Sequence, residues 1–262
     1  MKSTDKFSIR NQEPFFREVP LADTLVIFIH GIVEGPSQFR PFIEITLQAG
    51  CSCAALLLPG HGGSASEFAH SSQREWILYV KRELEHFRQQ YPHLILVGHS
   101  MGTLLSMIAY TENPSGIDGL IVIAAPLHIQ VSMRAIRNNL KIAFSESIPP
   151  NDPAYPLTKA ISVAHCPIPQ YVTWVPRLAD LFRLIAQTRK VLPQIKVPLL
   201  AIHSDRDELV GIRSIDHLRQ SVPETYLHIV RLPHSTHFTY TPEDWDKLCQ
   251  SYLSMLKRDW NQ

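Results

Sequence analysis

Leu94-Ile95-Leu96-Val97-Gly98-His99-Ser100-Met101-Gly102-Thr103-Leu104-Leu105 decides the fold. Its first four residues are an uninterrupted aliphatic run, the pattern of a strand covered on both faces. From Leu104 onward, Leu104, Leu105, Ile108 and Ala109 recur at helical spacing. Between strand and helix stands Gly-x-Ser-x-Gly, a turn that places a serine hydroxyl at the end of a strand and the start of a helix. Such a turn strains the serine backbone. Side chains two before and two after it would strike the neighbouring strand and helix, so glycine is needed at both.

Working outward, residues 24–29, 53–58, 120–124, 197–203 and 225–232 are further strand candidates, too continuously apolar to be half exposed. Helical patterns lie between them, notably Trp76, Val80, Leu84 and Phe87, then 212–220, then 243–256 opened by Thr241-Pro242 as cap and first position. Strands alternating with helices indicate a parallel sheet covered on both faces. Ten of the eleven glycines lie at or before Gly119, whereas eight of the twenty prolines fall between Pro149 and Pro193. The segment 127–192 is therefore an insertion between two strands, with helices at 129–143 and 175–191 joined by a loop at 147–169. The core domain is then 1–126 together with 193–262.

A serine hydroxyl is a weak nucleophile until a base takes its proton, and the base needs an acid to orient it. Asp207 lies just beyond the strand at 197–203, and His237 just beyond the strand at 225–232. The carboxyl ends of parallel strands share one edge of the sheet, so Ser100, Asp207 and His237 converge there. Asp205 competes with Asp207, but Asp207-Glu208-Leu209-Val210 puts an apolar residue three after the acid, as a loop folding back onto the sheet requires. His234 competes with His237, which is last in its loop and next to the closing helix. Donors for a developing oxyanion are expected from the backbone N–H of Met101, at the positive end of its helix, and of Ile32 in the turn His30-Gly31-Ile32. His30 itself is expected to be structural.

The charges nearly balance, with 25 Lys plus Arg against 24 Asp plus Glu, and no run of like charge offers a nucleic-acid footprint. No apolar stretch approaches the roughly 18 residues of a membrane span, and residues 1–11 lack the apolar middle of a secretory signal. Cys51, Cys53, Cys166 and Cys249 fit reduced packing residues of a cytoplasmic protein. Gly60-x-Gly62-x-x-Ala65 loosely matches a dinucleotide fingerprint, but 64–72 does not begin an amphipathic helix and no acid follows at the tip of a second strand.

His30-Gly31, Pro59-Gly60-His61-Gly62, the turn from Gly98 to Gly102, Asp207 and His237 fall in the order of the α/β-hydrolase superfamily, which the chain resembles over nearly its whole length. Within it the chain is similar to bacterial carboxylesterases and monoacylglycerol-lipase-like enzymes. The resemblance implies an eight-stranded, mostly parallel sheet with one antiparallel strand near 15–19 and a helical cap inserted after the sixth strand. It also implies ester hydrolysis through an acyl-enzyme on Ser100, with no metal and no organic cofactor. A C–C bond hydrolase or an acyltransferase would use the same three residues, and a non-catalytic ligand-binding protein would keep the scaffold. The turn Gly31-Ile32-Val33-Glu34-Gly35 lacks the three successive glycines of some lipases.

The cap helices carry Met133, Ile136, Leu140 and Phe144, and Trp174, Leu178, Leu181, Phe182 and Ile185. Most of this apolar surface is expected to pack on the sheet domain. The rest, with Phe144, Trp174 and Phe238 as substrate-binding candidates, would favour a small, neutral, apolar ester as partner. A monomer or homodimer without nucleic-acid or integral membrane association is the expected state.

Overall fold

The computed structural model describes residues 12–145 and 147–257, except the side chains of Asn139, Ala143 and Phe144. Seven strands form one sheet: β1 (Phe15–Arg17), β2 (Thr24–Ile29), β3 (Ser52–Ala55), β4 (His93–His99), β5 (Ile117–Ile123), β6 (Leu199–Ser204) and β7 (Leu227–Leu232). Their order is β1-β3-β2-β4-β5-β6-β7. β1 runs antiparallel to β3, with Phe16 opposite Ala54, and every other pair is parallel. The described residues thus hold seven strands where eight were expected, and the insertion follows the fifth of these seven. The strand expected at 53–58 ends at Ala55. Leu56 still donates to Phe28 O at 3.0 Å, but the Leu58 N–H is taken by the His30 ring at 3.0 Å, which turns the chain off the sheet.

Period-two alternation divides each central strand between two cores. Leu25, Ile27 and Ile29 of β2 and Leu94 and Leu96 of β4 face one helical layer, and Val26, Phe28, Ile95 and Val97 face the other. The first layer contains α3 (Gln73–Arg88), α4 (Met101–Glu112), α7 (Val175–Val191) and α8 (Arg213–Ser221); the second contains α1 (Arg40–Gln48) and α9 (Pro242–Lys257). The uninterrupted aliphatic runs follow from this, since both faces of each strand are removed from water. A short helix α2 (Ala65–His70) stands where the sequence suggested none. It is nucleated by a reciprocal cap in which the Ser64 hydroxyl accepts from Glu67 N–H and the Glu67 carboxylate accepts from Ser64 N–H.

The insertion contains α5 (Met133–Phe144), α6 (Tyr155–Ala160), a 3-10 helix (Ile168–Trp174) and α7. α5 begins four residues later than expected because Ile129 bridges to Val210, and Gln130 and Ser132 N–H donate to Leu209 and Glu208 carbonyls. The Ser132 hydroxyl then caps the helix. α6 lies within the expected loop. α7 packs on α4 through Leu181, Leu184 and Ile185 and so shares the sheet domain's core. Much of the other apolar surface expected to pack inward faces outward instead: Met133 is 78% exposed and Phe182 58%, and Ile136, Leu140 and Leu178 are also exposed. No described helix is long and apolar enough to cross a membrane. The four cysteines form no disulfide.

Candidate active site

The turn after β4 brings Ser100 to the carboxyl edge of the sheet with φ 50 and ψ −122, a left-handed conformation uncommon for a residue with a side chain. It is held there by the Ser100 N–H bond to Ile123 O on the adjacent strand, at 2.9 Å. The flanking glycines are a steric necessity. A Cβ at Gly98 would stand 2.5 Å from Thr103 N, and one at Gly102 would stand 1.9 Å from Ile29 O.

Asp207 and His237 come from the loops after β6 and β7. The Asp207 carboxylate accepts from His237 Nδ1 at 2.7 Å through Oδ2, and from Leu209 and Val210 N–H at 2.8 Å each through Oδ1. Burial would raise its carboxyl, but the His237 ring and these donors hold it below the usual carboxylate range. Burial would likewise lower the His237 imidazole, yet Asp207, Glu34 and Glu208 raise it. The two competing residues are placed elsewhere: Asp205 forms a two-pronged pair with Arg231 at 2.9 Å, and His234 is exposed near Arg206. His99, adjacent to Ser100, donates from Nε2 to the His237 carbonyl at 3.1 Å, so the elbow and the histidine loop are joined directly. His237 Nε2 is buried and has no hydrogen-bond partner among the described residues.

The turn between β2 and α1 carries Ile32. The peptide that bears its N–H also bears Gly31 O, which accepts from His30 Nδ1 at 2.9 Å and from Glu34 N–H at 3.3 Å. Pinning that carbonyl fixes the N–H, which points the opposite way from the same plane. His30 donates from Nδ1 and accepts Leu58 N–H at Nε2, so it must be neutral, and burial lowers it to about 4. His61 works alike, with Nδ1 toward Pro59 O and Nε2 accepting Val33 N–H; burial puts it well below its usual range. Met101 heads α4, where first-turn N–H groups lack intrahelical partners and carry the helix's partial positive charge.

A histidine held neutral in the fold but free to protonate when unfolded costs stability as pH falls. His30 should therefore contribute on the order of 3 kcal/mol above pH 6.5 that is lost progressively toward about pH 4. Melting curves between pH 7 and 4 should fall more steeply for the wild type than for His30→Gln.

Glu34 is the residue that sequence reasoning passed over. Its Oε2 accepts from Gly31 N–H at 2.6 Å and Gln38 Nε2 at 2.7 Å, and faces His99 Nδ1 at 2.9 Å. Its Oε1 stands 3.9 Å from His237 Nε2. Burial pushes its carboxyl up, but His99 beside it prevails and keeps it below the usual range. The available signal was a lone carboxylate in the otherwise uncharged turn 31–36, with Gln38 one helical turn on.

A cavity of about 630 Å³ reaches the site at His99 and His237, with walls from Phe39, Phe42, Ile148, Tyr155, Ile161 and Phe238. Phe238 thus stands beside His237, their rings 4.6 Å apart. Trp174 does not line this cavity: it packs edge-on against Phe68 at 4.9 Å and donates to Ala65 O, fastening the insertion to α2. The side chain of Phe144 lies outside the described residues.

The Hydrolase_4 family, described as serine aminopeptidase, S33, matches residues 21–243. The chain is 27% identical over 248 residues to a thermostable monoacylglycerol lipase of Bacillus sp. (strain H-257), covering 94% of each. Among solved structures it is similar to one described with LipS and LipT, two metagenome-derived lipolytic enzymes, at TM-score 0.74 and 21% identity over 95% of this chain and 98% of that one. It is also similar to a soluble variant of monoglyceride lipase from Saccharomyces cerevisiae with a substrate analogue, at TM-score 0.72 and 14% identity over 94% and 91%.

Proposed function

The chain belongs to the Hydrolase_4 family, and we propose that within it the protein is a serine carboxylic-ester hydrolase for short to medium acyl esters or monoacylglycerols. The observation that carries this reading is the buried Asp207–His237 pair at 2.7 Å on the sheet edge where the strained turn presents Ser100. His237 Nε2 takes the Ser100 proton as Oγ attacks the ester carbonyl, and Asp207 stabilises the imidazolium that results. The N–H groups of Ile32 and Met101 hold the oxyanion. His237 then protonates the departing alcohol, and the acyl group is released when the same nitrogen activates water.

The segment 127–192 is the cap in this reading. Ile148, Tyr155 and Ile161 contribute to the cavity wall together with Phe39, Phe42 and Phe238, and these apolar side chains suit an acyl chain, while Arg40 and Lys159 also line the cavity. The names of the Bacillus and yeast relatives favour a glycerol monoester over other esters.

Intact-mass spectrometry after a serine-directed fluorophosphonate, with short and long p-nitrophenyl esters as substrates, tests the proposal. One adduct on the wild type, none on Ser100→Ala, and a loss of at least about a thousandfold in kcat for that variant are expected. An unlabelled wild type that turns over neither the esters nor an aminoacyl anilide would replace the hydrolase by a ligand-binding protein. Turnover of the anilide alone would move the substrate from esters to peptides.

A further inference from the structure

Three buried side chains beside Ser100 point donor atoms at one another: the Glu34 carboxylate, His99 Nδ1 and His237 Nε2 all lie within 4.8 Å. One of these atoms, His237 Nε2, is buried without a hydrogen-bond partner among the described residues and is aimed into the cluster. From this arrangement we propose that Glu34, His99 and His237 form a binding site for a borderline divalent transition ion of the Zn2+ class, and that the bound ion switches the enzyme off.

The outer contacts of each donor are those that a metal site needs. His237 donates from its other nitrogen to Asp207 at 2.7 Å, and His99 donates from its other nitrogen to the His237 carbonyl at 3.1 Å. Both rings are therefore held with the metal-facing nitrogen toward the cluster. The second Glu34 oxygen is fixed by Gly31 N–H and Gln38, which leaves Oε1 for the ion. Two imidazoles and one carboxylate suit Zn2+, Co2+ or Cu2+ and discriminate against Mg2+ and Ca2+, which take oxygen ligands. Bonds of about 2.0 Å in tetrahedral geometry need donor atoms about 3.3 Å apart, so the widest separation closes by about 1.5 Å, within reach of a carboxylate rotation and small ring tilts. The cavity wall includes His99 and His237, so the cavity is the side from which an ion would approach.

The proton balance is simple. His99 Nδ1 faces Glu34 Oε2 at 2.9 Å; on binding, the hydrogen of that contact leaves to solvent as a proton and the nitrogen lone pair goes to the ion. His237 contributes the lone pair of Nε2, which is the one that would accept the Ser100 proton, so occupancy and turnover exclude each other. The inhibition therefore rests on the proposed hydrolysis, whereas the binding does not.

Zn2+ titrated into the wild type and Ser100→Ala, followed by calorimetry, is expected to show one equivalent bound by both. Ester turnover of the wild type should fall with the same saturation, return on adding a chelator, and be indifferent to Mg2+. Glu34→Gln and His99→Asn should each weaken binding at least about tenfold. Zinc-edge X-ray absorption on the wild type, which needs no variant to fold, should read two imidazoles and one carboxylate. No binding by an active wild type, a different ligand set, or affinity unchanged in both variants overturns the site. Binding by a protein that turns over no ester would keep the site and remove the hydrolase reading instead.

Discussion

Asp207→Asn is expected to lower kcat by about four orders of magnitude while leaving the melting temperature close to that of the wild type. The reason is the hydrogen-bond inventory of the carboxylate. Its Oδ1 accepts two backbone N–H groups, from Leu209 and Val210, and neither N–H has another hydrogen-bond acceptor among the described residues. An asparagine must keep its carbonyl oxygen there, so its NH2 group turns toward His237 Nδ1. That nitrogen then has to accept, which moves the ring proton to Nε2, the wrong tautomer to take a proton from Ser100. The loop geometry survives because all three bonds survive, with one reversed in direction. Fluorophosphonate labelling should slow in parallel with kcat, since on the proposed mechanism both use Ser100 as the nucleophile. Asp205→Asn should change kcat less than about twofold, because Asp205 is committed to Arg231 at the surface, where such pairs contribute little. A loss confined to Asp205→Asn would exchange the roles of the two residues.

The parallel sheet was legible because β2, β4, β5 and β6 are buried on both faces, and this leaves an unbroken aliphatic signature. α7 was legible end to end from its periodicity. What escaped was written in other terms. α6 lies in a proline-rich stretch that gave no periodic signal, and α2 is nucleated by a side-chain cap and is too short to show a period. The outward face of the insertion escaped because apolar residues at helical spacing state that a helix has an apolar stripe, and not what covers it. Ser100, Asp207 and His237 could be nominated because each follows a strand, so topology alone gathers them. Glu34 could not, because its significance lies in contacts with β4 and with the loop after β7 that only the folded chain makes.

Gly102→Ala tests whether the elbow is built by steric necessity. The new methyl would stand 1.9 Å from Ile29 O, 2.6 Å from Ile29 C and 2.8 Å from His30 O, all of them backbone atoms at the end of a central strand. No rotamer relieves such a contact, so α4 and the end of β2 must separate by more than 1 Å. Alanine returns about 1 kcal/mol of helix propensity. Overpacking against rigid backbone costs about 3 kcal/mol or more, which leaves a net loss near 2 kcal/mol and a fall in melting temperature of about 4–8 °C. The functional effect should be larger than the thermal one. β2 runs directly into His30-Gly31-Ile32, and α4 begins at Met101, so the separation draws the two proposed oxyanion donors apart. A displacement of 1 Å between such groups costs on the order of a hundredfold in kcat. The result expected is a folded protein, still labelled slowly by the fluorophosphonate, with kcat down about a hundredfold and KM little changed, because the cavity wall is untouched. A variant with wild-type kcat would mean that the turn can yield without moving either donor, and that the glycine serves packing alone.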